Sequence, residues 1–175
     1  KADAMWILGR DFLVSHGYRQ YEVSNFCLPG YQSRHNSAYW KLDDYIGCGA
    51  GATGTVYGRN DEVSLRYTDT RDIETYTSFW LGKNRCEDSI PEEKELIDRK
   101  TSEFEFFMMG LRLREGVCAE TYEQRYGEKF PEKAELLFRE WQHEGKAEIT
   151  EREGMHQYAL TPEGLLFLNE FLESL

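Results

Sequence analysis

The pattern of apolar and polar positions changes period along this chain, and the changes divide it into elements. In "DAMWILGRDFLVSHG" the residues Met5, Ile7, Leu8, Phe12 and Leu13 fall on one face of a helix, with Gly17 as its stop. "YRQYEVSNF" alternates, which predicts a strand with Tyr21 and Val23 facing the same way. In "YIGCGAGATGTVYG" glycines crowd between Ile46 and Val56, which predicts a strand end turning into a loop. "VSLRYTDTRDIETYTSFWLGK" reads as a strand to about Thr68, then a helix capped by Asp69 or Thr70.

Beyond residue 91 the 3.6-residue period dominates. "EEKELIDRKTSEFEFFMMGLRLREG" predicts one long amphipathic helix ending near Gly116, with "FEFFMM" as core. A short helix stopped by Gly127 follows. The next begins at Pro131 and stops at Gly145. "KAEITER" and "MHQYALT" alternate around Glu153-Gly154, a hairpin signal, and Thr161 with Pro162 opens a closing helix. Helix–turn–strand cadence followed by helices and a hairpin predicts an α/β region over 1–91 and a mainly α, winged-helix-like domain over 92–175. The 175 residues suffice for one ordinary domain or two small ones.

Charge refines this picture. The net charge is −11, with 10 Lys/Arg and 12 Asp/Glu before residue 92 and 11 against 20 after it. A recognition helix holding Lys133 and Arg139 against Glu132, Glu135, Glu140 and Glu144 would repel a phosphate backbone, so no nucleic acid is expected as partner. A docking or lid role fits the module better. No apolar run approaches the roughly 20 residues of a membrane span. Cys27, Cys48, Cys86 and Cys118 lack CxxC or CxxxCxxC spacing, so no metal or cluster site is expected from them. Reduced thiols and a cytoplasmic setting are the expectation. The chain lacks an initiator Met and opens inside a helical pattern, which reads as a piece of something longer.

The densest chemistry lies in "HNSAYW". His35 offers a neutral imidazole for heme iron, and flat rings at Tyr39 and Trp40 can stack on a macrocycle. Asn36 can fix a ring nitrogen or a propionate. The alternative is that His35 and Asn36 cap local backbone while Tyr39 and Trp40 anchor a loop in the core. The glycines of "GCGAGATG" are equally open, and no Lys follows to complete a phosphate-cradling loop. No Ser/His/Asp or Cys/His set is present, and no catalytic residue is assigned.

"YEVSNFCLPG", "HNSAYW", "YIGCGAGATG" and "FEFFMMGLRLREG", in that order, resemble the C-terminal part of the radical SAM heme chaperones, relatives of the oxygen-independent coproporphyrinogen III oxidases. The resemblance covers essentially the whole chain. It implies the last elements of a partial (β/α) barrel, carrying the HNxxYW loop, before the winged-helix-like end. It implies heme binding by His35, Asn36, Tyr39 and Trp40, and transfer of heme to client hemoproteins. In the full-length protein it implies a 4Fe-4S cluster and S-adenosylmethionine, with Cys27, Gly49, Ala50 and Thr53 lining the adenosylmethionine pocket. The family often has Ala where Cys27 stands. The cluster cysteines are absent from this chain, which is therefore expected to perform no radical chemistry by itself. The alternative activity is oxidative decarboxylation of coproporphyrinogen III in porphyrin biosynthesis.

Overall fold

The computed structural model describes residues 2–58, 63–82 and 92–175. Cys86 lies outside them. Helix and antiparallel sheet are mixed, and the chain forms two compact units, one of residues 1–41 with 104–175 and the other of residues 42–103. The sequence expectation cut the chain once, after residue 91. The compact units cut it elsewhere, because the chain leaves the first unit after Lys41 and returns to it at Phe104.

In the first unit, α1 (Ala2–Ser15) opens the chain and is followed by Gly17 at φ 87°. Its apolar face is largely bare: Met5, Leu8 and Phe12 are 74, 69 and 63% exposed. The strand expected over 18–26 is divided into β1 (Arg19–Gln20) and β2 (Phe26–Cys27), which pair antiparallel around a turn. Pairing elsewhere explains the division. Val23 N–H donates to Arg112 O at 2.9 Å, Arg114 N–H donates to Tyr21 O at 3.0 Å, and Glu22 bridges Leu113. The middle of the segment thus satisfies its backbone against residues 112–114.

The long helix expected over 92–116 is also corrected. Its first six residues are a strand of the second unit, and α4 runs only over Arg99–Gly110. Asp98 supplies the break, accepting the Thr101 N–H at 2.8 Å in the manner of an N-cap. After α4 come β6 (Val117–Cys118), α5 (Ala119–Tyr126), α6 (Glu132–His143), β7 (Ala147–Arg152) and β8 (Met155–Leu160). The strands pair antiparallel in the order β6-β8-β7. Glu153 and Gly154 both have positive φ, 54° and 77°, as a tight two-residue hairpin turn requires. A 3-10 turn (Gly164–Phe167) leads into α7 (Leu168–Ser174). Thr161 caps that turn as expected, its hydroxyl accepting the Gly164 N–H at 3.0 Å and donating to Gly145 O at 2.9 Å.

The core of this unit is aromatic. Phe138 and Phe171 are fully buried with ring centroids 4.6 Å apart, and Phe138 meets Tyr158 at 5.1 Å. Phe106 and Phe107, on the inner side of α4, join Tyr122, Tyr126 and Phe130 in one cluster of edge-on and tilted contacts. Each such side chain contributes roughly 1.5–3 kcal/mol by burial, with a further increment from ring geometry. Phe104, in the same apolar run, remains 46% exposed. Gly116, at φ 69°, passes so close to β8 that a Cβ there would lie 2.1 Å from Tyr158 O.

The second unit is a three-stranded antiparallel sheet, β3 (Thr53–Val56), β4 (Ser64–Asp69) and β5 (Glu92–Ile97), with α3 (Ile73–Trp80). Glu, Lys and Leu in β5 favour helix intrinsically, but six paired positions against β4, from Ser64↔Ile97 to Asp69↔Glu92, override that preference. Asp72 caps α3, accepting the Thr75 N–H at 2.7 Å, so the cap lies beyond Asp69 and Thr70. Asp69 is instead the last residue of β4. A regular strand also tolerates the glycines: Gly54 sits opposite Tyr67, whose ring fills the space a Cβ would take, at 2.4 Å.

Candidate functional site

Residues 34–40 form a helix rather than a loop. This element, α2 (Arg34–Trp40), starts where the Ser33 hydroxyl accepts the Asn36 N–H at 3.2 Å. It ends where Lys41 N–H donates to Ser37 O at 3.0 Å. Asn, Ser, Tyr and Trp are weak helix formers, so the cap and the surrounding contacts hold it. Lys41 pairs with Glu115 at 2.8 Å, and Arg125 donates to Lys41 O at 3.4 Å, fastening the C-terminal end.

The helical conformation gives the motif spacing its meaning. Positions 35 and 39, and positions 36 and 40, are each one turn apart, so all four side chains project from one side of α2. His35 and Tyr39 meet edge to face, centroids 4.8 Å apart at 83°. His35 is exposed, and Asn36, Tyr39 and Trp40 are half-buried. The backbone cap is Ser33, so His35 and Asn36 do not serve as caps. Among the described residues their side chains accept and donate no hydrogen bond. Nor does any α2 residue reach full burial, as anchoring in a core would require.

Two further features complete the site. The Arg112 guanidinium lies over the Trp40 ring, its Cζ 5.7 Å from the centroid, within cation–π range. Among the described residues the buried Trp40 indole N–H meets no acceptor. An orphaned buried donor costs about 1–3 kcal/mol, an expense that an incoming acceptor removes. The exposed imidazole, adjacent rings, unsatisfied donor and nearby cation suit a flat ligand that carries a metal and carboxylates. Arg112, Ser33 and the helix itself escaped the sequence reading, although Ser three positions before Asn and the doubled i,i+4 spacing signal them.

The other candidate residues are distributed between the units. Gly49, Ala50 and Thr53 belong to the turn entering β3, where Thr53 Oγ1 is 2.9 Å from Thr68 Oγ1. Ala52 N–H donates to Gly49 O at 3.0 Å, and Gly49 has φ 128°. Cys27 is buried on β2 in the first unit. Among the described residues, Cys27, Cys48 and Cys118 are free thiols and no group of three His, Cys, Asp or Glu side chains could hold a metal.

A second polar cluster was not legible. His156, which the sequence suggests is isolated in the hairpin, places Nδ1 2.7 Å from Glu120 Oε1, while its N–H and the Cys118 thiol donate to Glu120 Oε2 at 2.8 and 3.2 Å. Desolvation would raise the Glu120 carboxyl, but these hydrogen bonds outweigh it and hold the pKa at about 2. The same Glu120 bond raises His156. Burial raises the Tyr158 phenol beside them. The pair borders a cleft of about 580 Å³ with Phe130 and Arg139.

Comparison with known proteins places the chain, rather than this site, in a class. Residues 97–167 match the family model of the HemN C-terminal domain. The solved structure of coproporphyrinogen III oxidase (HemN) from Escherichia coli, described as a radical SAM enzyme, shares the fold. The TM-score is 0.58 at 12% identity, over 97% of this chain and 39% of that one. The chain thus corresponds to a C-terminal part of HemN-type proteins. Among curated relatives, the heme chaperone HemW of Escherichia coli strain K12 is 33% identical over 174 residues, covering 98% of this chain and 42% of the relative. That of Haemophilus influenzae is 33% identical over 177 residues, with the same coverage, and that of Lactococcus lactis 34% over 116 residues, 66% of this chain and 27% of the relative. This chain belongs to the heme chaperone HemW family. It spans about two-fifths or less of the length of these relatives. Among the described residues no helix is long and apolar enough to cross a membrane.

Proposed function

We propose that this chain is the heme-binding C-terminal part of a heme chaperone that passes heme to client hemoproteins in the cytoplasm. The observation that carries the reading is the placement of His35, Asn36, Tyr39 and Trp40 along one side of α2, with the imidazole exposed and edge-on to Tyr39. In its neutral form His35 offers a ring nitrogen to iron, while Tyr39 restricts the ring's orientation. Asn36 supplies an amide beside it, and Trp40 an apolar plane. Bound heme would supply an iron able to take a nitrogen ligand and a flat apolar surface. An exposed ligand suits transfer, since cargo that must leave is poorly served by an enclosed pocket.

In the full-length protein the reading includes a 4Fe-4S cluster and S-adenosylmethionine, with Gly49, Ala50, Thr53 and Cys27 on the adenosylmethionine side. The chain itself, without CxxxCxxC, has no place for the cluster. We assign residues 1–91 to the end of the barrel and residues 92–175, apart from β5, which pairs with β4, to a winged-helix-like module. The order α4, β6, α5, α6, β7, β8 with strands arranged β6-β8-β7 supports the latter. The oxidase alternative draws on the likeness of fold alone.

The test is a hemin titration followed at the Soret band, with the chain and its His35→Ala variant. A saturable band in the parent, lost or shifted in the variant, is expected. Unchanged affinity, stoichiometry and spectrum in His35→Ala would remove His35 from the site.

A further inference from the structure

We propose that Arg112 is the carboxylate-binding residue of the heme site, and that the cleft it lines takes an apolar edge of the porphyrin; this rests on heme being the ligand. Arg112 is held from several directions. Its backbone O accepts from Val23 N–H at 2.9 Å, its N–H donates to Met109 O at 3.1 Å, and its Nη1 donates to Met108 O. The guanidinium is therefore positioned in advance over the Trp40 ring. A planar fork fixed in this way loses little freedom on binding a carboxylate.

Its charge is uncompensated in a chain of 32 acidic and 21 basic residues. Arg10, Arg66, Arg99, Arg114 and Arg139 each meet a carboxylate, as do Lys41 and Lys146. Arg112 forms no ion pair among the described residues. Glu170 lines the same cleft without reaching it. The Trp40 indole N–H likewise has no acceptor. A cation over the ring and a donor within it, neither matched by an acid among the described residues, favour an anionic acceptor.

The cleft defines what else that anion must carry. It has a volume of about 380 Å³, and Val23, Leu165, Leu166 and Phe167 give it an apolar wall. Leu166 and Phe167 remain 37 and 43% exposed. A phosphate or a small carboxylic acid would leave that wall in water. A porphyrin joins carboxylates to a broad apolar body, and so meets Arg112 and the wall together.

Hemin and its iron porphyrin dimethyl ester, titrated in parallel into the chain and three variants, test this. Arg112→Gln is expected to weaken hemin roughly 10- to 100-fold while leaving the ester unchanged, because only hemin presents carboxylates. Arg112→Lys should restore part of the hemin affinity, since it keeps the charge and loses the fork. Leu166→Asn should weaken both ligands several-fold. Equal weakening of hemin and ester by Arg112→Gln would overturn the carboxylate role and leave Arg112 a structural residue. Unchanged binding of both ligands to Leu166→Asn would overturn the cleft. Full hemin affinity in Arg112→Gln, with binding lost in His35→Ala, would refute this inference and spare the heme reading. Absence of hemin binding by the parent chain would refute both.

Discussion

His156 on β8 and Glu120 on α5 stand 36 residues apart in the chain and 2.7 Å apart in the fold, ring nitrogen to carboxylate. The contact ties the hairpin to the helix beside it, and its strength depends on pH from both ends. Glu120, lowered from 4.5 to about 2, stabilises the fold above its unfolded value, and the contribution is lost as pH falls through about 2. His156, raised from 6.5, stabilises fully below that value, and its contribution is lost as pH rises through its raised pKa. The difference in melting temperature between the chain and Glu120→Gln should therefore be largest near pH 5–6 and shrink in both directions. A difference that stays constant from pH 2 to 9 would remove this linkage.

Phe138 and Phe171 are both fully buried and in mutual contact. Phe138→Ala should destabilise the first unit by about 3–5 kcal/mol, the range for removing a buried aromatic ring. Urea unfolding would read this as a lower midpoint with little change in slope. A loss under about 1 kcal/mol would show that the site collapses around the missing ring.

Gly116 has two independent demands on it, a left-handed φ and the nearness of Tyr158 O. Gly116→Ala is expected to cost at least about 1–2 kcal/mol and to disturb the pairing of β6 with β8. Amide exchange at Val117 and Cys118 should quicken in the variant. Unchanged protection there would mean that the turn relaxes without strain.

Ser33 is the cap of α2, so Ser33→Ala should weaken that helix by about 1 kcal/mol, and Ser33→Asp should largely preserve it. The damage should be local, with faster amide exchange over residues 37–41 and weaker hemin binding. If both variants bound hemin like the parent, the helical form of the motif would be irrelevant to binding.

Where one residue's conformational need coincides with the fold, the sequence was readable. Gly127, Pro131, the Glu153-Gly154 turn and Thr161 mark real boundaries of the second half. The aromatic run "FEFFMM" supplied core at Phe106 and Phe107 as its spacing suggested. β5 was not readable, since a Glu-Lys-Leu composition favours helix and only β4, more than twenty residues earlier, makes it a strand. The segment 18–26 failed in the same way, because Arg112 and Arg114 compete for its backbone. The motif residues were found, but not their arrangement: a seven-residue run in which weak helix formers outnumber Arg34 and Ala38 becomes a helix through a cap and an ion pair at the far end. His156 looked solitary because Glu120 is distant in sequence.

The single turn of α2 that separates His35 from Tyr39, and Asn36 from Trp40, makes the interval between them as important as their identities. Inserting one residue between Asn36 and Tyr39 would swing both rings by about 100° while leaving every original side chain present. Homologues that keep the four letters but change the gap would carry the vocabulary of this site without its grammar.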